Sequence, residues 1–182
     1  YSEDAIEAKL ETAWNSLFKG NAENETVYYE AGENEDGILA YIMDVANNDV
    51  RSEGMSYGMM IAVQMDKKEE FDALWNWSKT FMWHGDESHP FYEYFAWSLD
   101  TEGNSFDDAP APDGEEYFAA ALYFAAGRWG NGKGIYDYKA QADRLVSAMK
   151  NRESIYGEFM DRGSSASDSG AAIFNSKHKM VR

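Results

Sequence analysis

The sequence predicts an all-α fold. Helical hairpins form a toroid, with an inner ring of helices backed by an outer one, and the 182 residues supply roughly its first half. Three observations lead there. Two segments are apolar on nearly every side: Met55 to Val63, with no charge until Asp66, and Tyr117 to Ala126. A helix that is apolar all round is buried all round. Two further segments are amphipathic, with Phe71, Leu74, Trp75, Ser78, Phe81 and Met82 on one face of the first and Tyr138, Ala142, Leu145, Val146 and Met149 on one face of the second. Alternation of the two kinds describes inner and outer rings. Length is the third observation, because closing a ring takes about six hairpins of roughly 30–60 residues each. A half ring leaves its inner helices open to solvent as an apolar patch, so the chain reads as the N-terminal part, residues 1–182, of a single larger domain.

The elements follow in order. The first helix runs from Ser2 or Asp4 to Phe18, with Ile6, Leu10, Trp14 and Leu17 on one stripe and Gly20 as its stop. The stretch from Asn21 to Asp49 is mostly loop, with short strands at Thr26–Glu30 and Ile38–Val45 around the turn-like Glu33-Asn34-Glu35-Asp36-Gly37. The second helix spans Ser52 to Met65 and the third Lys67 to Met82. A loop from His84 to Pro112 carries Tyr94-Phe95-Ala96-Trp97 and the stiff Ala109-Pro110-Ala111-Pro112. The fourth helix covers Asp113 to Arg128 and ends before a Gly-rich turn, Gly130-Asn131-Gly132-Lys133-Gly134. The fifth spans Tyr138 to Lys150. Beyond it lie a Ser/Gly-rich stretch, 162–168, and a brief strand or turn at Ala171–Phe174.

Composition narrows the function. A formal net charge of −17 and a pI near 4.4 exclude nucleic acid and anionic membranes as partners. No run is long enough to span a bilayer. Cysteine is absent, and His84, His89 and His178 lack metal-ligand spacing, so neither disulfides, metal nor cofactor is expected. The first residue, Tyr1, reads as a processed or trimmed start, and the compartment stays open. Aromatic residues make up 15 %. Rings and carboxylates together suit a neutral ligand with flat C–H faces and many hydroxyls, such as a sugar chain.

Two acids stand out. Glu53 lies where an extended run becomes a helix, between Ser52 and a greasy segment, and Gly54 and Gly58 leave room for a close approach. An apolar setting raises a carboxyl pKa and makes a proton donor. The alternative is an ordinary first-turn acid, stabilised as an anion by the helix dipole. Asp113 opens the other all-apolar helix, with Glu116 at the capping-box position, and its alternative is capping alone. Two inner helices that each begin with an acid aim both at one rim, as sugar hydrolysis requires. Tyr94 and Trp97 are either sugar platforms or buried anchors. Asp161 and Asp168 read as solvated.

Arg51-Ser52-Glu53-Gly54-Met55-Ser56-Tyr57-Gly58-Met59 resembles the acid-bearing motif of glycoside hydrolase family 8, inverting enzymes on an (α/α)6 barrel. The continuation through Asp66, with Trp75-Asn76-Trp77, Tyr94-Phe95-Ala96-Trp97 and Pro110-Ala111-Pro112-Asp113-Gly114-Glu115-Glu116, resembles the branch of reducing-end xylose-releasing exo-oligoxylanases, with endo-xylanases nearby. The resemblance implies Glu53 as general acid. It makes Asp113 the residue that holds the sugar at the cleavage point, and Tyr94 and Trp97 substrate contacts. The family's general base, an Asp, belongs to the second half of the barrel, so the implied partners are a xylo-oligosaccharide or related β-1,4-linked glycan and the remaining half of the barrel. A cellulase or chitosanase of the same family, or a non-catalytic sugar-binding fragment, are the alternatives.

Overall fold

The computed structural model describes residues 2–21, 25–151, 173–175 and 180–181. Tyr1, Asp161, Asp168, His178 and the stretch 162–168 lie outside them. Five α-helices are present among the described residues: α1 (Glu3–Lys19), α2 (Ser52–Gln64), α3 (Lys68–Trp77), α4 (Pro112–Trp129) and α5 (Tyr138–Asn151). The all-α expectation needs amendment, because a five-stranded antiparallel sheet runs in chain order through β1 (Tyr28–Asn34), β2 (Gly37–Asp44), β3 (Asp49–Arg51), β4 (Ser98–Leu99) and β5 (Ser105–Asp107). The two short strands expected around Glu33–Gly37 form a hairpin longer than read, with Asn34 opposite Gly37 across the two-residue turn Glu35-Asp36. β4 and β5 fall in the segment expected to be loop. Their pairing is non-local, Val50 with Leu99 and Arg51 with Ser98, and local pattern carries no signal of it. A separate two-residue pair joins β6 (Phe174–Asn175) to β7 (Met180–Val181).

The sheet changes which helices are buried. β2 lies along α3, where Asn76 Nδ2 donates to Gly37 O (3.1 Å) and Ile38 O (3.2 Å) and pairs with Asn34 Oδ1 at 2.8 Å. The Tyr41 and Trp77 rings lie 5.8 Å apart. Consequently Ala73, Asn76 and Trp77 are buried along with Phe71, Leu74 and Trp75, and α3 is not the half-exposed outer helix expected. After Trp77 it widens into a π-helical turn, Ser78–Met82, in which Met82 is buried and Phe81 is exposed.

The two all-apolar helices are buried on most of their surface and each leaves one stripe open, as expected of a half ring. α2 exposes Glu53, Tyr57 and Ile61 at a spacing of four, and α4 exposes Asp113, Tyr117 and Phe124, the last 55 % accessible. Gly54 and Gly58 admit Ile42 of β2, not a ligand: a Cβ on Gly58 would stand 2.6 Å from Ile42 Cγ1. α1 begins as expected, with Ser2 Oγ accepting the Ala5 N–H. Of its predicted stripe only Trp14 is buried, stacked on Phe18 at 3.8 Å, while Ile6 and Leu10 are about half exposed at 50 % and 49 %. Gly20 ends α1 in extended backbone at φ −76, not in the left-handed form of a glycine stop.

The core lies between α2, α3, α4 and α5. Trp75 is at its centre, against Phe95 (5.7 Å) and Phe118 (6.0 Å), and its Nε1 donates to Ile135 O at 2.7 Å. α5 turns Tyr138, Ala142, Leu145 and Met149 inward as expected, Val146 being half-buried.

Candidate active site

β3 feeds directly into α2. Arg51 is the N-cap in extended backbone, without a side-chain cap. The first amide of the helix is instead satisfied by the residue before β4: Ser52 N–H donates to Trp97 O at 3.0 Å. Arg51 is held by Asp49 (Nε to Oδ1, 3.0 Å) and Asp44 (3.3 Å), and its guanidinium lies 5.4 Å from the centroid of the half-buried Trp97 ring. Glu53 is therefore the second residue of a helix whose start is anchored by its neighbours. Its side chain is exposed, so the apolar setting expected for it is absent from the described residues.

α4 starts one residue earlier than predicted. Pro112 takes the first helical position, where its missing N–H costs nothing, and Ala111 is the N-cap. Asp113 is displaced into the first turn, where its Oδ1 accepts the Gly114 N–H at 2.9 Å. The capping box with Glu116 does not form, and Glu116 Oε1 is buried without a hydrogen-bond partner.

The two helix starts touch. A Cβ on Gly114 would stand 2.4 Å from Ser52 Oγ and 3.3 Å from the Ser52 carbonyl carbon. Glu53 follows one member of this contact and Asp113 precedes the other, so both acids share a rim. Tyr57 lies one turn beyond Glu53, near enough to feel its charge, and meets Tyr117 edge to face at 4.8 Å. Desolvation, then the charges of Glu53 and Asp113, hold its hydroxyl above the ordinary tyrosine range. One phenol thus feels both acids. Gly114→Ala is expected to cost about 1–3 kcal/mol by overpacking, read as a lower urea midpoint; an unchanged midpoint would mean that the joint yields freely.

Tyr94 is a correction. It is fully buried, and its hydroxyl donates to Ala148 O at 3.2 Å. With its polar end satisfied on α5, the ring anchors the loop in the core and presents no face to a ligand. Trp97 remains at the rim. Two residues were not singled out from the sequence. Tyr57 was findable, since a spacing of four from Glu53 shares a helix face. Glu115 was hidden within an acidic first turn. It is completely buried, Oε1 accepts the Phe95 N–H at 3.0 Å, and burial, with the Asp113 charge adding, pushes its pKa up to about 8. Among the described residues no group of three His, Cys, Asp or Glu side chains is arranged to hold a metal ion. Among the described residues the rim thus gathers two carboxyl groups, Glu53 and Asp113, a phenol and an indole.

The profile of Glycosyl hydrolases family 8 matches residues 8–180. The chain is 51 % identical over 148 residues to the reducing-end xylose-releasing exo-oligoxylanase Rex8A of Paenibacillus barcinonensis, covering 81 % of this chain and 37 % of that protein. It is 48 % identical over 182 residues to the corresponding enzyme of Bifidobacterium adolescentis, covering 100 % of this chain and 42 % of that protein. Among solved structures, a family 8 xylanase of Teredinibacter turnerae in complex with xylohexaose is 59 % identical with a TM-score of 0.82, covering 84 % of this chain and 39 % of that one. A xylobiose complex from the same organism has a TM-score of 0.88 at 50 % identity, covering 100 % and 45 %. The chain spans less than half the length of these relatives.

Proposed function

The chain belongs to Glycosyl hydrolases family 8, and from that premise we propose that it is the N-terminal part of a single (α/α)6 catalytic domain that hydrolyses xylo-oligosaccharides with inversion, releasing xylose from the reducing end. Glu53 gives its proton to the glycosidic oxygen as the bond to the anomeric carbon breaks. Asp113 accepts hydroxyl hydrogen bonds from the sugar at the cleavage point and favours its distorted ring. Trp97 offers a flat face. The base that takes a proton from the attacking water comes from the part of the barrel beyond residue 182, on the far side of the sugar, with the carboxyl groups about 6.5–9.5 Å apart.

The observation that carries this reading is the Ser52–Gly114 contact, which delivers Glu53 and Asp113 to one rim on either side of Tyr57. The open stripes of α2 and α4 support the remainder of the barrel as the partner, since Tyr57, Ile61, Tyr117 and Phe124 form an apolar surface of the kind proteins cover. The same partner would enclose Glu53 and supply its missing apolar setting.

A second reading, a xylanase cutting within the chain, is favoured by the 59 % identity to the Teredinibacter turnerae xylanase. Digestion of xylo-oligosaccharides by the full-length polypeptide, followed by anomer-resolving NMR, separates the outcomes. Xylose appearing first, with the shortened oligosaccharide carrying the inverted anomer at its new reducing end, is expected. Mixed shorter oligosaccharides favour the xylanase, retained anomers defeat inversion, and binding without cleavage leaves a sugar-binding role.

A further inference from the structure

Among the described residues Glu115 is the one acid with no exposure at all, and the proposed reaction does not use it. It occupies a closed circuit of contacts beneath the rim. Its Oε1 accepts the Phe95 N–H at 3.0 Å. Two residues along the same extended segment, Trp97 O accepts the Ser52 N–H at 3.0 Å. Ser52 in turn abuts Gly114, the neighbour of Glu115. The start of α4, the segment 95–97 and the start of α2 are thereby locked to one another, and Glu115 is the titratable member of the lock.

We propose that Glu115 is a positioning residue which, as a neutral carboxylic acid, latches the Trp97 segment to the start of α4 and so sets the relative placement of Glu53, Trp97 and Asp113. Among the described residues no cation stands against Glu115 to compensate a charge. The side chain is wholly buried, Oε2 has no hydrogen-bond partner, and Ser52 Oγ at the same joint is likewise unpartnered. Burial is the dominant influence, backbone groups of Phe95, Glu115 and Ala111 offset it only in part, and the charge that bears on Glu115 from its own helix is that of Asp113, an anion. Ser52 from α2 and Phe95 from the rim segment bring no cation. An ionised Glu115 has to reach water, and the route out separates Gly114 from Ser52. The catalytic consequence rests on the hydrolase reading; the latch itself does not.

The sign of the pH dependence follows from linkage. The folded chain keeps the proton up to about 8, whereas an unfolded Glu loses it near 4.5. The contribution to stability is therefore complete below about 4.5 and is lost as pH rises towards about 8. Glu115→Gln keeps the acceptor and a donor but cannot ionise. Thermal unfolding of the 182-residue chain should show the wild type losing several degrees relative to E115Q between pH 5 and pH 8, with faster hydrogen exchange at the Phe95 amide of the wild type at the higher pH. Parallel curves for the two proteins overturn the latch, whatever the reaction proves to be. In the full-length polypeptide, Glu115→Ala should lower kcat about tenfold or more with KM little changed, since misplacement near 1 Å has effects of that size. E115Q should restore kcat and move the alkaline limb of the pH profile upward. Equal kcat in the Ala variant, or an alkaline limb that E115Q leaves in place, overturns the positioning role. Absence of hydrolysis by the wild type would defeat the hydrolase reading alone, with the unfolding comparison still deciding the latch.

Discussion

Replacing Glu53 by Gln in the full-length polypeptide is expected to lower kcat on xylo-oligosaccharides by about 10²–10⁴-fold, the range attributed to a positioned general acid, with KM nearly unchanged. The amide keeps the shape of the carboxyl but has no acidic proton to give. The leaving sugar must then depart as an alkoxide, whose high basicity makes it a poor leaving group. A substrate with an activated aryl leaving group needs no such proton and should lose much less in the same variant. That contrast separates a lost acid from a damaged fold, because a damaged fold lowers both rates together. Wild-type turnover within a few-fold, or equal losses on both substrates, would remove Glu53 from the role. The start of α2 is fixed in place: its first amide is satisfied by Trp97, Arg51 is held by Asp44 and Asp49, and the Tyr57 hydroxyl one turn away feels the Glu53 charge.

Trp75→Ala is expected to destabilise the chain by about 3–5 kcal/mol, the usual cost of deleting a large buried aromatic side chain. Trp75 is 1 % exposed and packs on Phe95 and Phe118, which also pack on each other at 4.8 Å. Its loss opens a cavity among α3, α4 and the rim segment, and leaves the Ile135 carbonyl without its 2.7 Å partner. Domains of this size are stable by only about 5–15 kcal/mol, so the variant should unfold at far lower urea. Trp75→Phe keeps most of the packing and loses the hydrogen bond, and should fall between. A midpoint for the Ala variant close to that of the wild type would show that Trp75 is not the centre of the core. Phe95 also carries the amide that Glu115 holds, so the same substitution should loosen the rim.

The helices were legible wherever their signals are local. The greasy run after Glu53, the inward set Tyr138, Ala142, Leu145 and Met149, and the capping Ser2 each sit within a few turns of what they specify. Of the sheet only the first hairpin was legible, as the strands around the turn at Glu33–Gly37. Val50 and Leu99 pair across about a quarter of the chain, and strands of two or three residues have no period to read. What β2 packs against was equally hidden: nothing local said that it would bury Ala73, Asn76 and Trp77, or that Gly58 makes room for Ile42. Tyr94 and Trp97 show the same limit at the scale of one loop. Both are aromatic and three residues apart, yet one spans to Ala148 and the other stays at the rim beside Arg51.

By itself the sequence determined the family, through the Arg51–Met59 and Pro110–Glu116 motifs, and it determined that two helices would each open with an acid. Those are properties of contiguous residues, and contiguous residues are all that periodicity and motif spacing report. Only the tertiary structure decided that the two openings meet at Ser52 and Gly114, that Tyr57 faces both acids, and that the carboxyl removed from water is that of Glu115 and not Glu53. Burial depends on which distant segments cover a side chain, and that coverage is settled by packing among elements dozens of residues apart.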